Sequence, residues 1–207
     1  MTRVAAILAA AITLVGMVFA VAYVLYMRPA GDQFAECRRS QVAGGGATIG
    51  GPFTLTDSSG ARVTEADVID GPTLVYFGYS FCPDFCPNDL ARNALASDLA
   101  AEEGEELGLA FITIDPARDT PEMMGEYVSM IHPDLVGLSG SPEDIDEAAK
   151  AYRVYYRKDG DDPEYYLMAH TTFTYLMAPE IGFLDFYGSE VPAEAMAESA
   201  ACYVSKL

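Results

Sequence analysis

The sequence LVYFGYSFCPDFCPNDL, residues 74–90, joins a strand-like run to a pair of cysteines. Its first four residues, Leu74–Phe77, are apolar, β-branched or aromatic, which predicts a buried strand. A Gly-Tyr-Ser break follows, and Cys82 and Cys86 then stand at the expected start of a helix, at about Pro83. Thiols at a helix N-terminus face unpaired N–H groups and the positive end of the helix dipole, which favour the thiolate. We therefore predict reactive or metal-binding cysteines at this point.

The spacing of the two cysteines leaves two chemistries open. On a helix, residues four apart share a face with Cα atoms about 6 Å apart, so both sulfurs can bind one ion. The same separation lies within disulfide range, roughly 4.4–6.8 Å. Spacing alone therefore does not distinguish a metal site from a redox pair.

His170 is the candidate third ligand. It stands immediately before a strand-like run, Thr171–Met177, in the sequence MAHTTFTYLM. Thiolates select Cu(I), zinc or iron–sulfur clusters, and an added imidazole fits copper or zinc. We predict copper, bound by Cys82, Cys86 and His170. A lone histidine at a strand edge is more often an ordinary hydrogen-bonded side chain, and the cysteine pair is what argues against that interpretation here.

Three segments, FGYSFCPDFCP, ITIDPARDTPE and HTTFTYL, resemble the Sco/SenC family in sequence and in order. The resemblance covers roughly Ile49–Val204. It implies a membrane-anchored, thioredoxin-like copper protein that helps to assemble the copper centre of a haem–copper (cytochrome c) oxidase, with Cys82, Cys86 and His170 as the copper ligands. Family members usually have aspartate directly before this histidine, whereas this chain has Ala169. The departure concerns the group that orients the histidine, and restoring the acid is expected to slow copper loss.

The N-terminal segment predicts a single membrane anchor. Val4–Met27 is uncharged and long enough to cross the roughly 30 Å hydrocarbon core as a helix, whereas a cleaved signal peptide has a shorter apolar region. We expect an anchor over residues 1–28, a flexible Gly-rich tether over 29–48 and a thioredoxin-like copper-binding domain over 49–207. The charges beside the segment do not set its orientation. The resemblance implies a single-pass protein of the bacterial inner membrane with its soluble domain in the periplasm.

The rest of the chain is strongly acidic. All 31 acidic residues follow Arg28, together with only 10 of the 12 basic ones. Nucleic acid is therefore an improbable partner, since its phosphates require a basic surface. The acidic field favours a basic protein partner over an anionic lipid surface, although a solvated acidic surface explains the same composition.

The elements around the cysteines predict one α/β domain. FTLTDSSGARVTEADV predicts a β-hairpin in front of the main fold, and the strand LGLAFITID after the cysteine helix completes a βαβ unit. The cysteines then lie at the carboxyl end of a parallel strand, where α/β sheets gather their functional groups. Asp115 and Asp119, in DPARDTPE, are interpreted as loop or cap carboxylates outside the site, and Thr120 as a helix N-cap. Tyr152–Tyr166 is interpreted as two strand-like arms joined by a charged turn.

The remaining cysteines are Cys37 and Cys202. Four cysteines give an even count, so we predict a structural disulfide between these two, with two unpaired thiols as the alternative.

Two functions fit these residues. The first is a copper chaperone without catalytic turnover, with the copper-bearing oxidase subunit, other copper chaperones and thioredoxin-like reductants as partners. The alternative is a thiol–disulfide oxidoreductase or thiol peroxidase acting on oxidase-subunit cysteines, with Cys82 attacking and Cys86 resolving. Thioredoxin-like oxidoreductases usually carry C-x-x-C and a cis-proline before the following strand, whereas here His170 and Thr171 occupy that loop. The sequence therefore favours the chaperone.

Overall fold

The computed structural model describes residue 7 and residues 13–23, 33–40, 49–162 and 165–207. The chain divides into two compact units, Met1–Glu36 and Cys37–Leu207. In the first unit, residues 13–23 form a helix, α1. Within the described part of the chain, no helix is both long enough and apolar enough to cross a membrane. The predicted anchor, Val4–Met27, lies partly outside the described residues.

The second unit combines a seven-stranded sheet with a separate two-stranded sheet. Its strands and helices are β1 (Thr54–Asp57), β2 (Arg62–Thr64), α2 (Glu65–Val68), β3 (Thr73–Gly78), α3 (Phe85–Glu102), β4 (Gly108–Thr113), α4 (Pro121–Ser129), β5 (Leu135–Ser139), α5 (Pro142–Ala151), β6 (Tyr156–Asp159), β7 (Leu167–His170), β8 (Thr174–Ala178), β9 (Gly182–Tyr187) and α6 (Ala193–Val204). The large sheet has the strand order β2-β1-β5-β4-β3-β8-β9, and β6 pairs with β7.

Strand β3 lies at the centre of the large sheet. It pairs in parallel with β4 and antiparallel with β8, and all six of its residues are buried. Burying an apolar side chain such as Leu74 or Phe77 contributes about 1.5–3 kcal/mol, so packing on both faces fixes the strand. The predicted βαβ unit is confirmed as β3, α3 and β4, and the two site cysteines follow the carboxyl end of β3.

The predicted N-terminal β-hairpin is confirmed by the antiparallel pairing of β1 and β2. In its turn, Asp57 accepts hydrogen bonds from the N–H groups of Ser59 (2.8 Å) and Ala61 (3.0 Å). Because β1 also pairs with β5, the hairpin extends the large sheet.

Strand β6 confirms one of the two strand-like arms predicted within Tyr152–Tyr166, but its partner strand β7 begins only at Leu167, and the hairpin corrects the placement of the histidine. His170 is the last residue of β7, and the strand predicted over Thr171–Met177 begins only at Thr174. The reason is local. The Thr171 N–H donates to the Tyr155 carbonyl (2.9 Å), and the Thr171 hydroxyl accepts from the Tyr155 N–H (3.1 Å). These bonds continue the hairpin and delay entry into the large sheet.

Cys37 and Cys202 form a disulfide with Cα atoms 5.4 Å apart, which confirms the prediction. Beside it, Asp185 accepts hydrogen bonds from the Arg39 N–H (2.9 Å) and from the Ser40 hydroxyl. In the chain-entropy model a bridge that closes a loop of this length contributes about 4–5 kcal/mol. This part of the predicted tether is therefore fixed to β9 and α6.

Candidate metal centre

The two free cysteines lie where β3 ends and α3 begins. Helix α3 starts at Phe85, slightly later than predicted, so Cys82 lies in the preceding turn and Cys86 in the first turn of the helix. The N-cap residue, Asp84, makes no side-chain capping bond. Instead the Cys86 N–H points at Cys82 Sγ, at 3.4 Å. The Cys82 sulfur therefore accepts the hydrogen bond that a capping oxygen usually accepts. This bond favours the thiolate form of Cys82.

Gly78, the last residue of β3, makes room for the Cys86 sulfur. A Cβ at this position would lie 2.8 Å from Cys86 Sγ and 3.0 Å from ring carbons of Tyr76 and Phe111. All three neighbours are fully buried, so none has free space to move into. The sequence marks this glycine only as a strand break, because its contact with the sulfur arises from the tertiary fold.

His170 reaches the cysteines from the end of β7. Its Nδ1 lies 2.8 Å from the Thr171 carbonyl oxygen, and its Nε2 lies 3.5 Å from Cys86 Sγ. A carbonyl oxygen only accepts, so Nδ1 donates to it, and Nε2 is the ring nitrogen that faces the cysteines. The Thr171 carbonyl thus orients the ring, a role for which the sequence resemblance implied an aspartate at the position of Ala169.

The ligand atoms of Cys82, Cys86 and His170 all lie within 4.8 Å of one another. In the described part of the chain, no other three histidine, cysteine or acidic residues are grouped in this way. A metal bound to sulfur at about 2.3 Å and to nitrogen at about 2.0 Å needs ligand atoms roughly 4 Å apart, so small movements are enough to close the group around an ion. The structure thus brings together all three predicted site residues.

The two thiols differ in acidity. Hydrogen bonding with Cys86, and to a smaller extent with His170 and backbone N–H groups, lowers the pKa of Cys82 although partial burial opposes the shift. The same hydrogen bond with Cys82, followed by burial, raises the pKa of Cys86. The pair therefore loses its first proton easily and its second with difficulty. When the pair carries a single proton, Cys86 holds it and Cys82 is the thiolate.

A pocket of about 390 Å³ opens onto the site. It is lined in part by Cys82, His170 and Phe85, whereas Cys86 is buried behind them. Phe85, which lines the pocket, is 54% exposed, and Phe81, the residue before Cys82, is 53% exposed. Two of the three candidate ligands can therefore be reached from outside through this pocket.

Asp115 and Asp119 lie in the loop between β4 and α4, as expected, and outside the group of three ligands. Neither faces solvent, however: Asp115 is 4% exposed and Asp119 is 0% exposed. Asp119 accepts hydrogen bonds from the Ser80 N–H (3.0 Å) and the Thr113 hydroxyl (2.6 Å). Thr120 caps α4 as predicted. The acids thus form a buried support beside the cysteine loop, which sequence periodicity does not reveal.

Comparison with known proteins places this chain in a family. The SCO1/SenC family model matches residues 41–205. Protein SenC of Rhodobacter capsulatus is 48% identical over 201 residues, which cover 96% of this chain and 88% of that protein. The human mitochondrial SCO1 homolog is 40% identical over 159 residues, or 75% of this chain and 53% of that protein. The chain therefore spans about half the length of its human relative.

Solved structures show the same architecture. The crystal structure of Arabidopsis thaliana ScoI with copper bound matches with a TM-score of 0.71 and 42% identity, covering 76% of this chain and 97% of that one. Yeast Sco1 with copper bound also matches with a TM-score of 0.71, at 37% identity over 76% of this chain and 89% of that one. The mixed α/β fold is thus the thioredoxin-like fold of these proteins, and the chain belongs to the SCO1/SenC family.

Proposed function

We propose that this chain is a copper chaperone, which binds one copper ion through Cys82, Cys86 and His170 and delivers it to the copper-bearing subunit of a cytochrome c oxidase. The observation that carries the proposal is the convergence of two sulfurs and one imidazole nitrogen within 4.8 Å. The copper-bound ScoI and Sco1 relatives support the choice of metal.

The donor set suits both oxidation states of copper. Two thiolates are soft ligands that hold Cu(I), and the imidazole nitrogen adds a ligand that Cu(II) prefers. Copper has to displace the proton that Cys86 retains, so binding releases protons and strengthens as the pH rises. The Thr171 carbonyl keeps His170 in the tautomer that binds a metal through Nε2.

Delivery requires that ligands of a partner protein reach the ion. Cys82 and His170 line the open pocket, so an incoming ligand can replace them while Cys86 still holds the copper from its buried side. The half-exposed rings of Phe81 and Phe85 give a small apolar surface of the kind that protein interfaces use. Transfer is then a sequence of ligand exchanges that leaves the protein itself unchanged.

The proposal includes a membrane anchor over residues 1–28, a tether over 29–48 whose residues Cys37–Ser40 are fixed to β9 and α6, and the copper-binding domain over 49–207. The uncharged run of the first segment supports a single-pass helix. The disulfide between Cys37 and Cys202 supports an oxidising compartment, and hence the periplasmic side of a bacterial inner membrane.

Competitive titration of the detergent-solubilised full chain with a chromogenic Cu(I) chelator tests the proposal. We expect one copper per chain, and loss of tight binding in Cys82→Ala and in Cys86→Ala, because a single thiolate does not chelate. The control replaces Cys37 and Cys202 together by serine, which removes the disulfide and spares the site. A single-cysteine variant that competes as well as the native chain would overturn the copper clamp.

Thiol–disulfide exchange is the second candidate, favoured by the lowered pKa of Cys82 beside a second thiol. The Cys82 thiolate attacks a disulfide of the oxidase subunit and releases one of its thiolates. Cys86 then attacks the mixed disulfide, so that the subunit leaves as a dithiol and Cys82 and Cys86 become a disulfide. A thioredoxin-like reductant has to restore them. If this reaction occurs, Cys86→Ala accumulates a mixed disulfide with the oxidised subunit, which non-reducing electrophoresis detects.

A further inference from the structure

The hairpin that carries His170 is not part of the large sheet. Among the described strands, β6 and β7 pair only with each other, from Tyr156 opposite His170 to Asp159 opposite Leu167. An isolated two-stranded hairpin is at best marginally stable in water. The position of His170 relative to the cysteines therefore depends on side-chain contacts that hold the hairpin in place.

Arg118 makes such contacts at the start of β7. Its Nη1 donates to the Tyr166 carbonyl at 3.1 Å, and its guanidinium carbon lies 3.6 Å from the centroid of the Tyr166 ring. The Tyr166 hydroxyl donates to Asp115 Oδ1 at 2.8 Å, while Arg118 Nε donates to Asp115 Oδ2 at 2.5 Å. Tyr166, the residue that precedes β7, is thus held by its carbonyl, its ring and its hydroxyl.

The same arginine faces the cysteine loop. Its guanidinium carbon lies 4.7 Å from the centroid of the Phe81 ring, and Phe81 is the direct neighbour of Cys82. The side chain of Arg118 is only 15% exposed, and cation–π contacts strengthen when water is excluded. The next residue, Asp119, accepts the N–H of Ser80 in that loop at 3.0 Å. Arg118 therefore contacts both elements that supply ligands, although it supplies none itself.

We propose that Arg118 is a positioning residue, which sets the distance between His170 and the two cysteines by clamping Tyr166 against the cysteine loop. The inference rests on the proposed copper function and deepens it. Arginine suits the task because its planar group donates in two directions to Asp115 and Tyr166 while its face stacks on a ring. A lysine keeps the charge and loses this geometry.

The first test needs no copper. Hydrogen exchange of backbone amides is compared in the native full chain and in Arg118→Lys. Losing a hydrogen bond to a charged group should make the β6–β7 amides exchange about tenfold faster. Exchange in β3 and β4 should change less than exchange in the hairpin, because neither strand depends on the clamp.

The second test measures the affinity for Cu(II) and Cu(I) separately, in the same two proteins. Arg118→Lys should weaken Cu(II) binding about tenfold, the effect typical of a lost supporting contact behind a ligand. Cu(I) binding should change less than about threefold, because the two thiolates suffice for that ion.

Arg92 provides a matched control. It also pairs with an aspartate three residues away, Asp89, and donates to a backbone carbonyl, that of Gly188 at 2.7 Å. Its side chain is 11% exposed, close to the 15% of Arg118. Arg92→Lys should lower the melting temperature as Arg118→Lys does, but leave hairpin exchange and the ratio of the two copper affinities unchanged.

Tyr166→Phe is a second, milder variant, which removes only the hydroxyl bond to Asp115 and should shift both readouts in the same direction by less. The inference is wrong if Arg118→Lys matches the native chain in hairpin exchange, or if Arg118→Lys and Arg92→Lys lose both copper affinities equally. If the native chain binds no copper, the proposed function fails, and the exchange measurement still decides whether Arg118 holds the hairpin.

Discussion

The cysteine side and the histidine side of the candidate site are built from different kinds of structure. Cys82 and Cys86 connect the fully buried central strand of a seven-stranded sheet to a helix of 18 residues. His170 ends a two-stranded hairpin whose other strand, β6, is mostly exposed. Buried sheet ladders resist local opening, whereas a small hairpin held by side chains opens at lower cost. The sulfurs thus form a fixed half of the site, and the imidazole forms a movable half.

A fixed pair of sulfurs and a movable imidazole suit a protein that must both hold and release an ion. Two thiolates are sufficient to hold Cu(I), whereas Cu(II) prefers a further nitrogen ligand. If the site binds copper as proposed, movement of this hairpin would change the preference for an oxidation state without disturbing the core.

Gly78→Ala should produce the largest effect, because it disturbs the fixed half. The added methyl group meets Cys86 Sγ at 2.8 Å and buried ring carbons at 3.0 Å, an overpacking that costs about 1–3 kcal/mol. Displacing the sulfur should weaken Cu(I) and Cu(II) binding alike. Chelator competition and a denaturant titration measure both consequences.

Gly71→Ala is the control for that substitution, since nothing lies within 4 Å of the Cβ it would add. Native copper affinity in Gly78→Ala would mean that the cysteine half tolerates movement, and the contrast between the two halves would then be lost.

His170→Ala removes the movable half alone and should separate the two oxidation states. We expect Cu(II) affinity to fall on the order of 100-fold, with loss or strong alteration of the thiolate-to-copper charge-transfer absorption, while Cu(I) still resists a moderate chelator. Paired titrations with a thermal melt check the result. An unperturbed Cu(II) spectrum in a folded variant would exclude the histidine as a ligand.

The reactivity of Cys82 in the metal-free protein allows the cysteine half and the histidine half to be compared directly, because a residue of each half lowers the pKa of Cys82. Hydrogen bonding from Cys86 is the larger cause of its lowered pKa and His170 the smaller one. A thiolate reacts above its pKa, so removing either partner should raise the midpoint of the pH–alkylation profile. Cys86→Ala should raise it more than His170→Ala. Iodoacetamide rates followed by mass spectrometry give the midpoints, and the reverse order would contradict this account.

The fixed half could be predicted from sequence and the movable half only in part. Four apolar residues from Leu74, a break and two cysteines encode the strand, turn and helix through local preferences and burial, so the βαβ unit was predictable. The run after His170 looks like one strand, but the hydrogen bonds between Thr171 and Tyr155 divide it. Those bonds depend on a hairpin partner that periodicity does not identify.

The sequence indicates even less about the residues that support the ligands. Arg118 stacks on a tyrosine 48 positions later in the chain, and Gly78 matters because of a sulfur on the next helix. Contacts of this kind are set by how the elements pack, and local propensity says nothing about them. The identity of the three candidate ligands came from residue chemistry and from the resemblance together.

Ala169→Asp should produce the smallest effect of all. From the resemblance alone, an acid before the histidine is expected to slow copper loss, but the structure changes that expectation. His170 Nδ1 already donates to the Thr171 carbonyl at 2.8 Å, and successive strand residues point to opposite faces, so an aspartate at 169 is poorly placed to replace that acceptor. Residue 169 lies opposite Arg157 in the β6–β7 register, so the new carboxylate should pair with that arginine instead. We therefore expect Cu(II) dissociation to change less than about threefold, a small fraction of the change that removal of a supporting group can cause. Stopped-flow transfer of copper to an excess of chelator measures the rate, with Ala169→Asn as the uncharged control. A tenfold slower loss in Ala169→Asp but not in Ala169→Asn would show that the hairpin rearranges to let the carboxylate hold the ring, and that the histidine half is more mobile than its contacts indicate.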